Sequence, residues 1–524
     1  MFAALVGACV VYCIAISPFR PWLNLASRVP DDAAYYFQIA HNYVAGQGVT
    51  FDGRNPTNGF QPFWQVLIAL MQETLPFRDQ AEQFARAVLV FQGILLLAAL
   101  MMFNRTLLFL DNQLLRRLGT LLFLTTVFLM VRDGMESALL VFLAAMVVHF
   151  QARNGGVDGW STRACLTFGL LLGGVLLARL DSIFWIVGLF GVFVLMTGET
   201  EDARIRIRLA KAVWIGLACA AVVIPYLTVN YIVYGHFMPI SGALKTSFPR
   251  PGFHLSEFSL TPDTRALLLL SVILSAACLL WELGHWPGGE NGPLRLPACA
   301  MSLGVLLHVG YALLFMKWAV FSWHFVLERF AVCLLLPYLC AKIAPFFAPV
   351  LQRLAIGAMI TILAIAAPLV VLQQDWRPDL SRSWKVTSYQ ASQWVKANLP
   401  VNAVIAMKDA GNMGFYSDRP VVNLDGLVNS FAYQEFLKRG QFRAFLRNSG
   451  VGYLVQHAFV DDPDVTTGNY VTYTFRSYSH LYDRPGGELQ LRRSEEVYRS
   501  RPYYEGSTET VLVIWKIPSQ DLGD

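Results

Sequence analysis

Charge is what this 524-residue chain has least of: Asp, Glu, Lys and Arg make up 15% of it, and the net charge is only +5. No basic tract stands out, which argues against a nucleic-acid partner. The eight cysteines, Cys9, Cys13, Cys165, Cys219, Cys278, Cys299, Cys333 and Cys340, all lie in apolar segments. None has metal-site spacing to a histidine or another cysteine, and the polar C-terminal region has none, so neither a zinc site nor a disulfide framework is implied. Gly411-Asn412-Met413-Gly414 lacks the third glycine and following helix of a dinucleotide fingerprint. No internal repeat or low-complexity segment is present. Residues 2–18 lack the basic n-region of a signal peptide and read as a first transmembrane helix, with the missing flank suggesting a shortened start.

Apolar residues are abundant: 55% of the chain is hydrophobic and 13% aromatic. A bilayer core of about 30 Å asks for roughly 20 apolar residues per helix. Runs of that order fall at 2–19, 87–110, 118–131, 135–151, 164–178, 182–198, 212–233, 266–283, 297–316, 325–341 and 354–373. The expected architecture is therefore an α-helical polytopic membrane protein of about 11 transmembrane helices over residues 1–373. Its first external loop would cover 19–86. The shorter run 61–75, bracketed by Pro62 and Pro76, reads as interfacial or re-entrant. Basic residues such as Arg105, Arg116, Arg117, Arg204, Arg208, Lys211 and Lys342 collect in alternate connections. By the positive-inside rule the N-terminus is cytoplasmic and the first loop external.

From residue 374 the composition changes. Trp376–Pro400 and 430–448 read as helices, and 404–407, 421–424, 451–455 and 511–517 as strands. They make residues 374–524 an external α/β domain large enough for its own core.

The topology gathers the unusual polar residues on one face. Asp31 and Asp32 open a helix after Pro30, with Tyr36, Ile39, Ala40, Tyr43 and Val44 at helical spacing. Turns at Asp52-Gly53, Asn55-Pro56 and Asn58-Gly59 follow. Asp31 could simply cap its helix, but a carboxylate pair just outside a span also suits proton abstraction. Arg132, Asp133 and Glu136, then Arg179 and Asp181, then His236 and Lys245, then His324, Glu328 and Arg329 fall on the same face. Taken singly, such residues at span ends are often snorkelling or paired; their convergence favours a shared site. A carboxylate, several cations that can hold phosphate and a membrane groove meet the needs of glycosyl transfer from a polyprenyl-phosphate sugar.

At these residues the chain resembles the GT-C superfamily of integral membrane glycosyltransferases. The resemblance lies in Asp31-Asp32, in Asn55-Pro56-Thr57-Asn58-Gly59-Phe60-Gln61-Pro62-Phe63-Trp64, and in Gly134-Met135-Glu136-Ser137. It extends to Ala178-Arg179-Leu180-Asp181, Pro239-Ile240-Ser241-Gly242-Ala243-Leu244-Lys245, Asp409-Ala410-Gly411 and Asn423-Leu424-Asp425-Gly426. These segments are similar to a bacterial branch with protein mannosyltransferases, lipid A aminoarabinose transferases and terminal arabinofuranosyltransferases. The resemblance implies a polyprenyl-phosphate-sugar donor, inversion by single displacement and an acidic base in the first loop. No metal or other cofactor is expected, although oligosaccharyltransferases of the superfamily use a divalent metal.

The expected assignment is Asp31 as base and Asp32 as its positioning partner. Arg179, Lys245 and Arg329 would hold the donor phosphate. Glu136, Asp181, His236, His324 and Asn58 would orient those groups or bind sugar and acceptor. The expected setting is a bacterial inner membrane, with the lipid bilayer, the donor and an external glycan, lipid or protein acceptor as partners. Two other classes compete: a flippase or transporter of lipid-linked sugar, and a non-catalytic scaffold. The first should show inverted repeats and mid-membrane charge, and the second gives no reason for the acidic pair.

Overall fold

The computed structural model describes residues 2–77, 79–195, 202–285, 292–373, 380–459, 470–475, 487–505, 508–518 and 522. Within them, every expected span has a helix. The first runs from Phe2 through a π-helical turn to Phe19. The others are Ala81–Leu107, Gln113–Phe128, Ser137–Asn154, Thr162–Ala178, Ile183–Leu195, Asp202–Tyr234, Pro262–Gly284, Arg295–Phe315, Val326–Ile343 and Pro349–Val371. Seven helices among the described residues are long and apolar enough to cross a bilayer by those criteria alone. The run 61–75 forms the 13-residue helix Pro62–Thr74, too short to span. The chain is a multi-pass membrane protein.

The outer helices present bare apolar side chains. Ile362, Ile365 and Leu369 on Pro349–Val371 are exposed, as lipid contact requires. At one end of the bundle, the Arg117 guanidinium lies 5.8 Å from the ring of Phe2, and Arg208 pairs with Asp158. The other end carries the loops of Asp31, Glu136 and Arg179 and the C-terminal domain.

That domain is built on a sheet of strands β1 (Ile405–Met407), β2 (Val421–Asn423), β3 (Tyr453–Phe459), β6 (Glu496–Arg499), β7 (Tyr503–Glu505) and β8 (Thr508–Lys516). Its order is β2-β1-β3-β8-β6, with β7 also on β8. β1 pairs in parallel with β2 and β3, and β8 runs antiparallel to β3. β4 (Tyr470–Phe475) and β5 (Gly487–Arg492) form a separate hairpin-like pair. Two expectations are adjusted. The first domain helix is Trp384–Asn398, opened by a Ser383 cap, while the expected start at Trp376 lies outside the described residues. The helix expected over 430–448 is two, Phe431–Lys438 and Phe442–Asn448, broken where Gly440 turns with φ of 68°. The domain has a core of its own, with Val404, Leu424, Tyr433 and Trp515 among its members, and shares a further cluster with the first loop.

One of its two hydrophobic clusters contains Tyr35, Ile39 and Phe51 of the first loop, packed with Ala391, Val395, Ile405, Met407 and Met413. Burying three such side chains is worth about 1.5–3 kcal/mol each, so loop and domain stabilise one another. The other side of the same helix, Ala33, Tyr36, Phe37 and Ala40, belongs to the bundle core. The helix Asp31–Val44 is thus a shared wall, apolar on two sides. This explains a departure from the expected single stripe: Tyr35 and Phe37 are buried, while Tyr43 is 57% exposed.

Candidate functional site

Asp31 and Asp32 begin this wall, and adjacent helical residues point about 100° apart. Their fates differ accordingly. Asp31 is buried, and its Oδ2 and Oδ1 accept the backbone N–H groups of Gly411 and Asn412 at 2.6 and 2.7 Å. It caps the first turn of the domain helix Gly411–Tyr416 rather than its own helix, which has no side-chain cap. The approach is close: a Cβ on Gly411 would overlap the Asp31 carbonyl oxygen. Burial pushes the Asp31 carboxyl well above its usual range, and the two N–H groups pull it back.

Asp32 is only partly buried and makes no hydrogen bond through its carboxylate among the described residues. Burial raises its pKa; the ammonium of Lys245 lowers it, Asp425 and Glu136 raise it, and Lys385 lowers it again. Lys245 and Lys385 are thus both near enough to Asp32 to favour its charged form. Lys245 ends the short helix Ile240–Lys245, which packs on the domain through Ile240, Leu244 and Leu427. The Lys245 ammonium has no hydrogen-bond partner among the described residues.

Behind Asp32, a chain of buried groups fixes the wall to the bundle. The Tyr36 hydroxyl donates to Glu136 Oε2 at 2.8 Å, and Glu136 Oε1 lies 3.4 Å from Arg179 Nη1. Arg179 Nε forks onto both Asp181 oxygens at 2.9 and 3.0 Å, and its Nη1 donates to the Trp323 carbonyl. Asp181 is 3.8 Å from His308 Nε2, whose Nδ1 meets Glu328 at 2.7 Å. Burial and the Glu136 charge hold the Tyr36 hydroxyl far above its ordinary pKa, so it stays a donor.

The expected site residues thus divide. Asp32 and Lys245 come together at an accessible junction. Glu136 and Asp181 occupy Arg179: the residue is 3% exposed, and its guanidinium is committed to two carboxylates and a carbonyl. Arg329 donates to the Thr126 carbonyl and to Thr264 Oγ1, at 3.3 and 2.7 Å. Asn58 is a structural pin, accepting from Ile240 N–H at 2.9 Å and donating to Asn230. His236 stacks on Phe431 with centroids 3.9 Å apart, joining a loop to the domain. His324 Nδ1 accepts the Phe321 N–H at 3.0 Å, and burial with Lys245 and Arg179 nearby drives its pKa well down, leaving it neutral.

Sequence reasoning left five participants without a role. Tyr35 donates to Asp425 at 3.1 Å, and Asp425 also accepts from Asn423 at 2.9 Å, so the domain contributes a carboxylate near Asp32. Lys385 lies near enough to Asp32 to favour its charged form. Tyr36 and His308 complete the buried chain. A histidine inside an apolar run was the one available signal for His308. Among the described residues no group of three or more His, Cys, Asp or Glu is placed to hold a metal ion.

An acidic helix at the mouth of a helical bundle, clamped to an α/β domain, defines an architecture with known relatives. Comparison with solved structures shows that the chain shares its overall fold with known membrane proteins. It is similar to ArnT from Cupriavidus metallidurans, in the apo state and bound to undecaprenyl phosphate. Each has a TM-score of 0.54 at 12% identity, covering 98% of this chain and 97% of that one. It is also similar to the oligosaccharyltransferase AglB from Archaeoglobus fulgidus, in complex with an inhibitory peptide and a dolichol-phosphate. There the TM-score is 0.53 at 12% identity, covering 94% of this chain and 75% of that one. Residues 376–505 match a domain of unknown function, DUF8728. No curated protein sequence matches the chain.

Proposed function

We propose that the protein is a membrane glycosyltransferase that moves one sugar from a polyprenyl-phosphate donor to an acceptor hydroxyl. Transfer takes place on the face that carries the C-terminal domain, which we take to be periplasmic in a bacterial inner membrane. The observation that carries this reading is the placement of Asp32: a partly buried carboxylate without a hydrogen-bond partner among the described residues, with Lys245 the leading charge that lowers its pKa. Binding of undecaprenyl phosphate by ArnT and of a dolichol-phosphate by AglB supports a lipid-phosphate donor for a chain of the same fold.

In this reading Asp32 takes the acceptor proton as the new bond to the anomeric carbon forms. The sugar–phosphate bond breaks, and the phosphate leaves with the electron pair, its charge met by Lys245. Displacement from one side inverts the anomeric centre. The roles expected within the acidic pair are exchanged: Asp31, held by two backbone donors, positions the wall, and Asp32 works. Arg179 and Glu136 become positioning residues, acting on Asp32 through Tyr36. Asp425 is placed to orient acceptor hydroxyls. No metal is required by these steps.

The test is to purify the protein, identify copurifying polyprenyl-phosphate sugars by mass spectrometry, and follow their conversion to sugar-free polyprenyl phosphate. Wild type should convert them and Lys245→Ala should bind them more weakly. Full retention of donor affinity in Lys245→Ala, with donor consumed normally, would remove Lys245 from the phosphate site.

A further inference from the structure

A cavity of about 140 Å³ lies beside the start of the wall helix, with Pro30 in its lining. A single water needs about 10–15 Å³ by the same kind of measure, so the cavity has room for roughly ten waters, the bulk of one sugar ring. Its charged groups are matched. Lys385 is drawn by Asp31, Asp32 and Asp133 together. Arg329 faces Asp263 and donates to the Thr126 carbonyl and to Thr264 Oγ1. Arg28 donates to Ser17 Oγ at 3.4 Å. A cavity whose cations are committed in this way does not select an anion.

What the lining leaves open is neutral hydrogen-bonding capacity. The Ser322 hydroxyl and the Trp323 Nε1–H belong to it, and neither has a hydrogen-bond partner among the described residues. Asp133 accepts from Met135 N–H at 3.0 Å, Gln92 at 3.3 Å and Ser137 at 3.2 Å, of the roughly four bonds a carboxylate can take. Trp323 is half-buried and held in place twice. Its carbonyl accepts from Arg179 Nη1, and its ring stacks on Phe321 with centroids 4.6 Å apart. The buried chain of Tyr36, Glu136 and Arg179 therefore ends on a residue of the cavity wall. An aromatic face is electronegative and attracts the C–H groups of a sugar ring. A serine hydroxyl, an indole N–H and a carboxylate oxygen serve the ring's hydroxyls. A phosphate would use neither the indole face nor the carboxylate.

We infer that this cavity seats the sugar of the donor, with the Trp323 indole against the ring and Ser322 on a hydroxyl, so that Trp323 sets sugar specificity. The inference rests on the proposed glycosyl transfer and adds the seat of the transferred sugar. His324, the next residue, is near enough to Lys245 and Arg179 to feel both charges. A phosphate held by Lys245 and a sugar held by Trp323 are thus within reach of one ligand.

The experiment measures affinity for three lipids by calorimetry on the detergent-solubilised full chain: undecaprenyl phosphate, and the same lipid carrying mannose or arabinose. Wild type should bind at least one sugar-bearing lipid about tenfold more tightly than the bare one. Trp323→Leu and Ser322→Ala should each cut that preference about fivefold, the worth of one hydrogen bond or ring contact. Affinity for the bare lipid should stay unchanged in both, which also reports that each variant is folded. Trp323→Phe keeps a ring and loses the N–H, so its preference should fall between wild type and Trp323→Leu. A preference retained in full by all three variants would overturn the inference and leave the donor reading standing. A loss shared equally by bare and sugar-bearing lipids would do the same, assigning Trp323 and Ser322 to structure. Equal affinity of wild type for bare and sugar-bearing lipids would overturn the sugar seat. Wild type that binds none of the three would overturn both readings.

Discussion

The carboxylate of Asp31 and the backbone of Gly411 are separated by 380 residues and joined by a 2.6 Å hydrogen bond. With the Asn412 N–H at 2.7 Å, this makes Asp31 the cap of a helix in another domain. The first loop and the C-terminal domain are therefore one working unit at the mouth of the bundle.

Breaking this clamp should loosen the domain. Asp31→Ala removes two charge-assisted hydrogen bonds and leaves two buried N–H groups unpaired, at a cost of about 3 kcal/mol or more. Gly411→Ala should act likewise, since its Cβ would meet the Asp31 carbonyl. Hydrogen exchange at the amides of 411–416 should accelerate in both variants; protection equal to wild type would show that the clamp contributes little.

Arg179→Ala should fail through stability. It strands Glu136, 2% exposed, and Asp181 beside it without their counter-charge. Removing one partner of a buried pair costs about 3–5 kcal/mol. The expected outcome is a lower melting temperature and poor yield. Lysine should not rescue it, because it cannot fork onto Asp181 while reaching Glu136. A stable Arg179→Ala protein with a selective loss of donor affinity would instead return Arg179 to the phosphate site.

Transfer should have an acid limb above the ordinary aspartate range. Burial raises the Asp32 pKa, and only the ionised form accepts a proton. Activity is then lost as pH falls through that raised value. Lys245 and Lys385 pull it down, so Lys385→Ala should move the limb to higher pH. A limb near pH 4 that does not move in Lys385→Ala would exclude Asp32 as the titrating group.

The two ends of the bundle should label from opposite sides of the membrane. Cysteines placed at the exposed positions Arg117 and Ala432 in a cysteine-free background test the charge argument directly. Labelling of both from outside would contradict it.

Much of this was legible in the chain. Each apolar run holds a helix, seven of them among the described residues long and apolar enough to cross a bilayer, and Pro62 and Pro76 bracket a shorter one. The strands at 405–407 and 421–423 followed from short apolar runs between glycine-rich turns. What could not be read was direction. Asp31 and Asp32 are equivalent as a pair in sequence, and only the docking of the domain decides which is consumed by Gly411 and Asn412. Lys385 sits in a polar helix of 384–398 and reads as a solvated residue until its helix is seen against the first loop. Asp181, two residues on, was a legible partner for Arg179; that Glu136 and the Trp323 carbonyl also close on it is a tertiary fact.

The account rests most heavily on Asp32, and one comparison tests it: single-turnover transfer at saturating donor in Asp32→Asn and Asp31→Asn, with donor binding and melting temperature measured alongside. Asp32→Asn should fold, bind donor and lose roughly a hundredfold to ten-thousandfold in transfer rate. Asp31→Asn should lose stability first, with a rate that recovers toward wild type under conditions where the domain stays docked. A wild-type transfer rate in Asp32→Asn would contradict the account.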